Sequence, residues 1–214
     1  MRKISSTATR LVVIALLGMF LQPAVAQTNP TKPNPRAEFL TKLVAAAIER
    51  TNHQVRYVSA YVAIPYPGGD VPADTGACTD EVIRSYRAVG VDLQKEVYED
   101  MVKNFSAYPH QWRWLARRPD RNIDHRRVPN LMFFFSRKGE SLPITKRTED
   151  YSPGDIVTWD LGGGITHIGI VVDQKLPGGQ RFMMVHNIGE GPKMEDVLFG
   201  WKIIGHYRYY GPGM

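Results

Sequence analysis

The sequence has little cysteine: Cys78 is its one thiol in 214 residues. A single cysteine excludes an intramolecular disulfide framework and the paired cysteines of zinc-finger sites. The spacing His-Glu-x-x-His is also absent, and no Gly-Lys-Ser or Gly-Lys-Thr occurs. Motifs for a zinc peptidase or a phosphate-binding loop are therefore missing, and we expect neither a cofactor nor a metal.

The sequence also lacks an apolar run that could cross a membrane. The run Leu11–Leu21 has eleven residues, whereas a membrane-spanning helix needs about 20. Basic residues precede this run and Ala-Val-Ala follows it, which is the pattern of a secretory signal peptide. We predict a signal peptide over residues 1–26, cleaved after Ala26, and a proline-rich linker over residues 27–36. The protein is thus expected to be periplasmic or secreted, without stable membrane insertion after cleavage.

The excess of positive charge is small once the signal peptide is removed. The whole chain has 27 basic and 21 acidic residues, and residues 27–214 keep 24 and 21, a net charge of +3. A nucleic-acid binder normally has a larger and more clustered excess. Arginine and tryptophan interleave in residues 106–129, but Asp120 and Asp124 interrupt them. We therefore expect a long surface excursion there, and no nucleic-acid partner.

Hydrophobic periodicity predicts one α+β domain over residues 37–214, with helices first and strands last. Apolar residues recur at helical spacing from Phe39 to Ile48, after Cys78 until Gly90, and through residues 92–105. Short β-branched and aromatic runs then predict an antiparallel sheet. These runs are Ile156–Trp159, Ile168–Val172, Phe182–Val185 and Ile203–Tyr209.

The chemistry is expected at Cys78, which opens a predicted helix. An exported protein passes into an oxidising compartment, where an unpaired thiol is a liability unless it is used. Helix N-terminal N–H groups favour the thiolate, but Asp80 and Glu81 oppose this effect, so a basic partner is needed. His167 is the natural one, because it begins an apolar strand just after Gly162–Gly164, which we interpret as a hairpin or gating loop.

A third polar group should orient the His167 imidazole. His186 and Asn187 close the next predicted strand, and a hairpin would bring that strand beside His167. Successive side chains of a strand point to opposite faces, so only one of these two residues can face His167. Cys78, His167 and His186 are also competent zinc ligands, but no spacing in the sequence supports a metal site.

Three segments resemble strands of the NlpC-type cell-wall cysteine peptidases, which have a papain-like fold. The resemblance implies that a nucleophile helix packs on an antiparallel sheet. It also implies that Cys78 is the nucleophile, His167 the general base and His186 its orienter, and that Tyr66 lends a hydroxyl near the oxyanion, with Asn187 as the alternative supporting residue. Gly-Ala-Cys-Thr-Asp replaces the usual Asp-Cys-Ser-Gly around the nucleophile, which leaves the substrate open. The three segments are GDIVTW (Gly154–Trp159), THIGIVV (Thr166–Val172) and MVHN (Met184–Asn187).

A closer resemblance covers nearly all of the chain after the signal peptide. The stretches YPGGDVPADTGACTDEVIRSYR, IDHRRVPNL and YSPGDIVTWDL are similar to the YijF-like proteins, a bacterial family of unknown function. This resemblance marks Asp124, His125, Arg126 and Arg127 as a signature. One hypothesis for the signature is that Arg126 or Arg127 binds a carboxylate of a peptide substrate.

The sequence thus predicts a periplasmic cysteine peptidase or amidase that cleaves an amide bond in peptidoglycan stem peptides. Two alternatives stay open. The same residues could transfer the acyl group to an amine, or the domain could be a non-catalytic module that binds cell wall or a protein. The sequence does not define an oligomeric state.

Overall fold

The computed structural model describes residues 34–109 and 118–214. The expected signal peptide, its cleavage site and most of the proline-rich linker lie outside the described residues, as do Trp112 and Trp114. No helix within the described ranges is long and apolar enough to cross a bilayer.

The described residues form four α-helices, and the three predicted from periodicity are among them. The first begins at Pro35, where Asn34 Oδ1 accepts a hydrogen bond from the Arg36 N–H at 3.1 Å. Proline suits this position because the first N–H of a helix has no partner within the helix, so Pro35 and Arg36 belong to the helix and not to the linker. The helices are α1 (Pro35–Arg50), α2 (Cys78–Ala88), α3 (Leu93–Asn104) and α4 (Val128–Lys138).

A six-stranded antiparallel sheet follows the helices, in the order β3-β8-β4-β5-β6-β7. Its four central strands match the four predicted runs, so the expected mixed α+β order is confirmed. A separate pair of two-residue parallel strands, β1 and β2, precedes α2. The strands are β1 (Arg56–Tyr57), β2 (Thr75–Gly76), β3 (Glu140–Ser141), β4 (Ile156–Asp160), β5 (Thr166–Lys175), β6 (Phe182–Asn187), β7 (Pro192–Glu195) and β8 (Lys202–Arg208).

The two faces of the large sheet carry separate apolar cores. On one face, α1, α2 and α4 pack against Ile156, Ile168 and Ile170. On the other, a smaller cluster forms around Trp159 and Val171 and is completed by Leu198. Because side chains alternate along each strand, β5 contributes to both cores and fixes the position of α2 relative to the sheet.

The expectation of a long surface excursion over residues 106–129 is wrong for much of its described part. Tyr108 is buried, and its hydroxyl donates to the Asp100 carboxylate at 2.8 Å. Residues Asp124–Arg126 form a buried 3₁₀ turn that leads directly into α4. The many charged residues of this segment are typical of an exposed loop, so its burial was not predicted from the sequence. The partners of Arg126 lie on distant elements.

Candidate active site

Cys78 is the first residue of α2 and only 4% exposed. The chain enters the helix through β2, and Ala77 is extended at the N-cap position. Gly76 allows a close approach there, since a Cβ at this position would lie 3.2 Å from both Arg84 Nη1 and Asp80 Cβ. The thiol is thus placed at a helix N-terminus and inside the core that joins α2 to the sheet.

The start of α2 is fixed by a buried ion pair between Asp80 and Arg126. Asp80 Oδ2 accepts a hydrogen bond from the Ala77 N–H at 2.6 Å. Arg126 donates to the same carboxylate from Nε at 2.7 Å and from Nη2 at 2.9 Å. This bidentate geometry neutralises Asp80, so the expected opposition between Asp80 and a Cys78 thiolate is weakened. Glu81 is likewise paired, with Arg50 at 2.9 Å.

Arg126 therefore has a structural role in place of the expected substrate contact. Besides Asp80, its guanidinium donates to the Ala60 and Val58 carbonyl oxygens at 2.9 and 3.2 Å. Its side chain is almost fully buried. A guanidinium that is buried and bonded through Nε, Nη1 and Nη2 has no free edge for a substrate carboxylate.

The rest of the signature shapes the same turn. The Asp124 carboxylate accepts the Asp120 N–H at 2.6 Å, and burial raises its pKa to about 6. His125 is buried, and that burial lowers its pKa to about 3. Neither side chain is exposed to a cleft, so the structure offers them no direct contact with a substrate. A substrate contact by Arg127 stays a prediction.

Three hydrogen-bond donors surround the Cys78 thiol. They are the backbone N–H groups of Ile168 and Thr79 and the hydroxyl of Tyr57. Burial outweighs these donors and raises the thiol pKa to about 11. The Cys78 N–H in turn donates to the Tyr57 hydroxyl, whose own pKa is raised to about 12, chiefly by burial. One N–H and one hydroxyl therefore converge beside the sulfur, as an oxyanion site requires.

Tyr57 takes the place that the sequence suggested for Tyr66. The Tyr66 ring instead packs edge-on against Tyr98, with centroids 5.0 Å apart, and the Arg121 guanidinium lies over it. Tyr57 reaches the thiol because β1 pairs with β2 in the register Tyr57↔Gly76. A two-residue strand leaves no periodic signal in a sequence, so sequence reasoning missed it.

His167 and His186 contact each other directly. His167 Nε2 lies 2.9 Å from His186 Nδ1, and both rings are buried. The pairing of β5 with β6 aligns Ile170 with Val185, which places the two histidines on the same face of the sheet. Burial lowers the pKa of His167 to about 3, with a smaller contribution from His186, whose pKa is also lowered by burial.

Asn187 points away from this pair. Its Oδ1 accepts the Gly189 N–H at 3.1 Å, while His186 is the one of the two candidates that contacts His167. Aromatic rings enclose the pair: Trp159 stacks on His167 at 5.6 Å, and Trp201 lies edge-on to both histidines at 5.8 and 6.0 Å.

The Cys78 thiol is linked to β5 through the backbone next to His167. Cys78 accepts from the Ile168 N–H, and Ile168 directly follows His167 in β5. Within the described residues, no hydrogen bond joins the thiol to the His167 ring. Because the thiol pKa is raised and the imidazole pKa is lowered, both groups are neutral at neutral pH.

Sequence reasoning also missed Glu195. Its Oε2 lies 3.0 Å from His186 Nε2, on the side of the ring away from His167. Glu195 is on β7, which pairs with β6 in the register His186↔Lys193. The diagonal position brings the carboxylate to the ring, and only this register could have revealed it.

One cavity is lined by His186, and a second groove is lined by Trp201, whose ring packs against both histidines. A cavity of about 210 Å³ is lined by residues that include His186, Lys193 and Glu195. A groove of about 810 Å³ ends at Trp201 and is lined by Ile144, Lys146, Thr145, Phe199, Lys202 and Ile203. In residues 34–109 and 118–214, no group of three or more His, Cys, Asp or Glu side chains is arranged to hold a metal ion.

Comparison with known proteins gives the family. Residues 44–209 match the model described as Domain of unknown function (DUF1287). The chain belongs to this family. It is 45% identical over 202 residues to the uncharacterized protein YijF of Escherichia coli (strain K12), which covers 94% of this chain and 97% of that protein. The expected likeness to the YijF-like proteins is thereby confirmed.

Substitution Arg126→Ala should destabilise the protein by disrupting the N-terminal end of α2. It leaves Asp80 buried without its partner, and breaking a buried pair costs about 3–5 kcal/mol. Urea denaturation followed by circular dichroism measures the free energy of unfolding. The exposed Arg118 in the same segment is the control, and Arg118→Ala should cost less than about 0.5 kcal/mol. Equal effects of the two changes would contradict the structural role of Arg126.

The Cys78 thiol should be alkylated slowly at neutral pH. Its pKa is raised to about 11, so the rate of iodoacetamide labelling should rise tenfold per pH unit until the pH approaches that value. In Tyr57→Phe a hydrogen-bond donor that lowers the thiol pKa is lost. The midpoint of the labelling rate as a function of pH should therefore shift to a higher pH. Tyr61→Phe, at an exposed tyrosine, is the matched control. A midpoint near the ordinary thiol value of about 8.5 would refute the buried neutral thiol.

Proposed function

We propose that this protein is a periplasmic cysteine hydrolase with a papain-like fold of the NlpC type, which cleaves an amide bond in peptidoglycan stem peptides. The carrying observation is the buried His167–His186 pair, with 2.9 Å between ring nitrogens, together with a lone thiol at a helix N-terminus that accepts from the backbone N–H of Ile168, the residue after His167. A buried polar pair is costly unless its groups are satisfied or used. Nucleophile, base and orienter are the roles that such an arrangement serves.

The proposed reaction begins with the Cys78 thiol and the His167 imidazole both neutral. His167 Nδ1 takes the Cys78 proton as the sulfur attacks the carbonyl carbon, and the carbonyl π electrons move onto oxygen. The Cys78 N–H and the Tyr57 hydroxyl donate to that oxyanion. The His167 imidazolium then protonates the amide nitrogen, the C–N bond breaks and an amine leaves. Water, deprotonated by His167, attacks the thioester, which releases a carboxylic acid and restores the thiol.

The neutral resting state suits an exported enzyme. Oxidants attack thiolates rather than thiols, and burial holds the Cys78 pKa at about 11. Charge separation between sulfur and imidazole is unfavourable in this apolar site until an oxyanion can form. The donors at Tyr57 and Cys78 would therefore make substrate binding the condition for activation.

Three arguments support the proposed substrate class. The predicted signal peptide would deliver the protein to the compartment that contains peptidoglycan, and the resemblance to NlpC-type peptidases links the strand motifs to stem peptides. The flanking grooves carry both signs of charge, with Lys193 and Glu195 on one side and Lys202 on the other. Stem peptides carry amine and carboxylate groups, so this lining is complementary to them.

The test is digestion of purified sacculi and defined muropeptides, followed by mass spectrometry of the products. The exported protein should release a new fragment. Cys78→Ala should lower that release on the order of 10⁴-fold or more, because the nucleophile is lost. Cys78→Ser keeps the size of the side chain and, with circular dichroism, controls for folding.

The outcomes separate the alternatives. Fragments that carry a new amide to an added amine would indicate an acyltransferase, because the thioester was captured by the amine. Equal products from Cys78→Ala, or no product with a folded protein and any muropeptide, would contradict the proposal and favour a binding module. The alkylation rate does not separate these cases, since a buried neutral thiol reacts slowly in each of them.

A further inference from the structure

The Glu195 carboxylate is the outer end of a row of polar groups that leads through His186 to His167. Its Oε2 lies 3.0 Å from His186 Nε2, and His186 Nδ1 lies 2.9 Å from His167 Nε2. Glu195 is partly exposed, whereas the His186 side chain is fully buried. Within the described residues, His186 is the one ion-pair partner of Glu195, because the nearby Lys193 pairs with Glu190.

We infer that Glu195 is a positioning residue that sets which nitrogen of each histidine carries the proton. This inference rests on the proposed function, since it concerns the base of that reaction. It follows from which atoms of Glu195, His186 and His167 can donate a hydrogen bond and which can only accept one. A neutral imidazole has one N–H and one acceptor nitrogen, and a carboxylate can only accept.

The proton position on His186 then determines the proton position on His167. The carboxylate of Glu195 requires the proton of His186 to be on Nε2, so His186 Nδ1 is an acceptor. His167 must therefore donate from Nε2, and its Nδ1 keeps a free lone pair. That nitrogen is the one not engaged by His186, and it is the nitrogen that the Cys78 proton needs.

Without the carboxylate of Glu195, the opposite placement of the two ring protons is equally allowed. His186 could donate from Nδ1 to His167 Nε2, and His167 would then carry its proton on Nδ1. In that state His167 cannot accept a proton from the thiol, so the site is inactive although every contact distance is unchanged. The charge of Glu195 also stabilises the imidazolium that forms during attack.

The neighbouring groups support this assignment. Trp159 and Trp201 flank the two rings and supply no acceptor, since the indole N–H only donates; the Trp159 N–H is already bonded to the Leu198 carbonyl at 3.0 Å. Glu195 is thus the carboxylate placed 3.0 Å from the outer nitrogen of His186.

The test is the tautomer pattern of the histidines, measured by long-range ¹H–¹⁵N correlation on the ¹⁵N-histidine-labelled full chain at neutral pH. The signals are assigned with His167→Gln and His186→Gln. In the unmodified protein both rings should be Nε2–H tautomers. In Glu195→Gln, a change of the same size, the amide can donate as well as accept, so His167 should gain an Nδ1–H population.

Glu190→Gln is the matched control, because Glu190 lines the same cavity and pairs with Lys193 rather than with His186. It should leave both tautomers unchanged. An unchanged His167 tautomer in Glu195→Gln, or an Nδ1–H His167 in the unmodified protein, would overturn the role of Glu195.

This readout does not require turnover, so it is independent of the proposed function. If the unmodified protein cleaves peptidoglycan, Glu195→Gln should lower the rate about 10–100-fold, as loss of an outer partner of a functional histidine does. An unaltered rate would also overturn the inference. Failure of the unmodified protein to cleave any muropeptide would instead count against the proposed function alone.

Discussion

The site depends on the buried contact between the carboxylate of Asp80 and the guanidinium of Arg126. The Asp80 side chain caps the first turn of α2 and accepts two bonds from Arg126, 46 residues away in sequence. The same arginine donates to carbonyl oxygens of the segment that follows β1. One ion pair therefore joins α2, the segment after the strand that carries Tyr57 and the turn before α4. Buried pairs of this kind often add little net stability, but they specify one arrangement because an unpaired charge is so costly.

The arrangement explains why the segment Asp124–Arg126 is rich in charge and yet buried. Asp124 and Arg126 satisfy backbone and side-chain groups in the turn and at the start of α2. From sequence, these residues have the composition of a surface loop or of a substrate-binding patch. The partners of Arg126 lie in segments far from it in the chain, and composition carries no information about such contacts.

What the sequence could predict follows from local physics. Helices α1, α2 and α3, the four central strands and the pairing of His167 with a residue at the end of the next strand come from periodicity and hairpin geometry. Tyr57 and Glu195 could not be found in this way. Tyr57 depends on the register of a two-residue strand, and Glu195 on that of a four-residue strand. A shift of one residue in either register would turn the side chain to the other face, so only the three-dimensional pairing places these groups.

The central claim of the proposed mechanism is a thioester on Cys78. The direct measurement is acid quench of the protein during reaction with a muropeptide, followed by mass spectrometry of the proteolytic peptide that contains Cys78. The account predicts a mass increase equal to the acyl part of the substrate, removed by hydroxylamine and absent when His167 is replaced by alanine. Cleavage that proceeds with no adduct on Cys78, or an adduct on another residue, would contradict it.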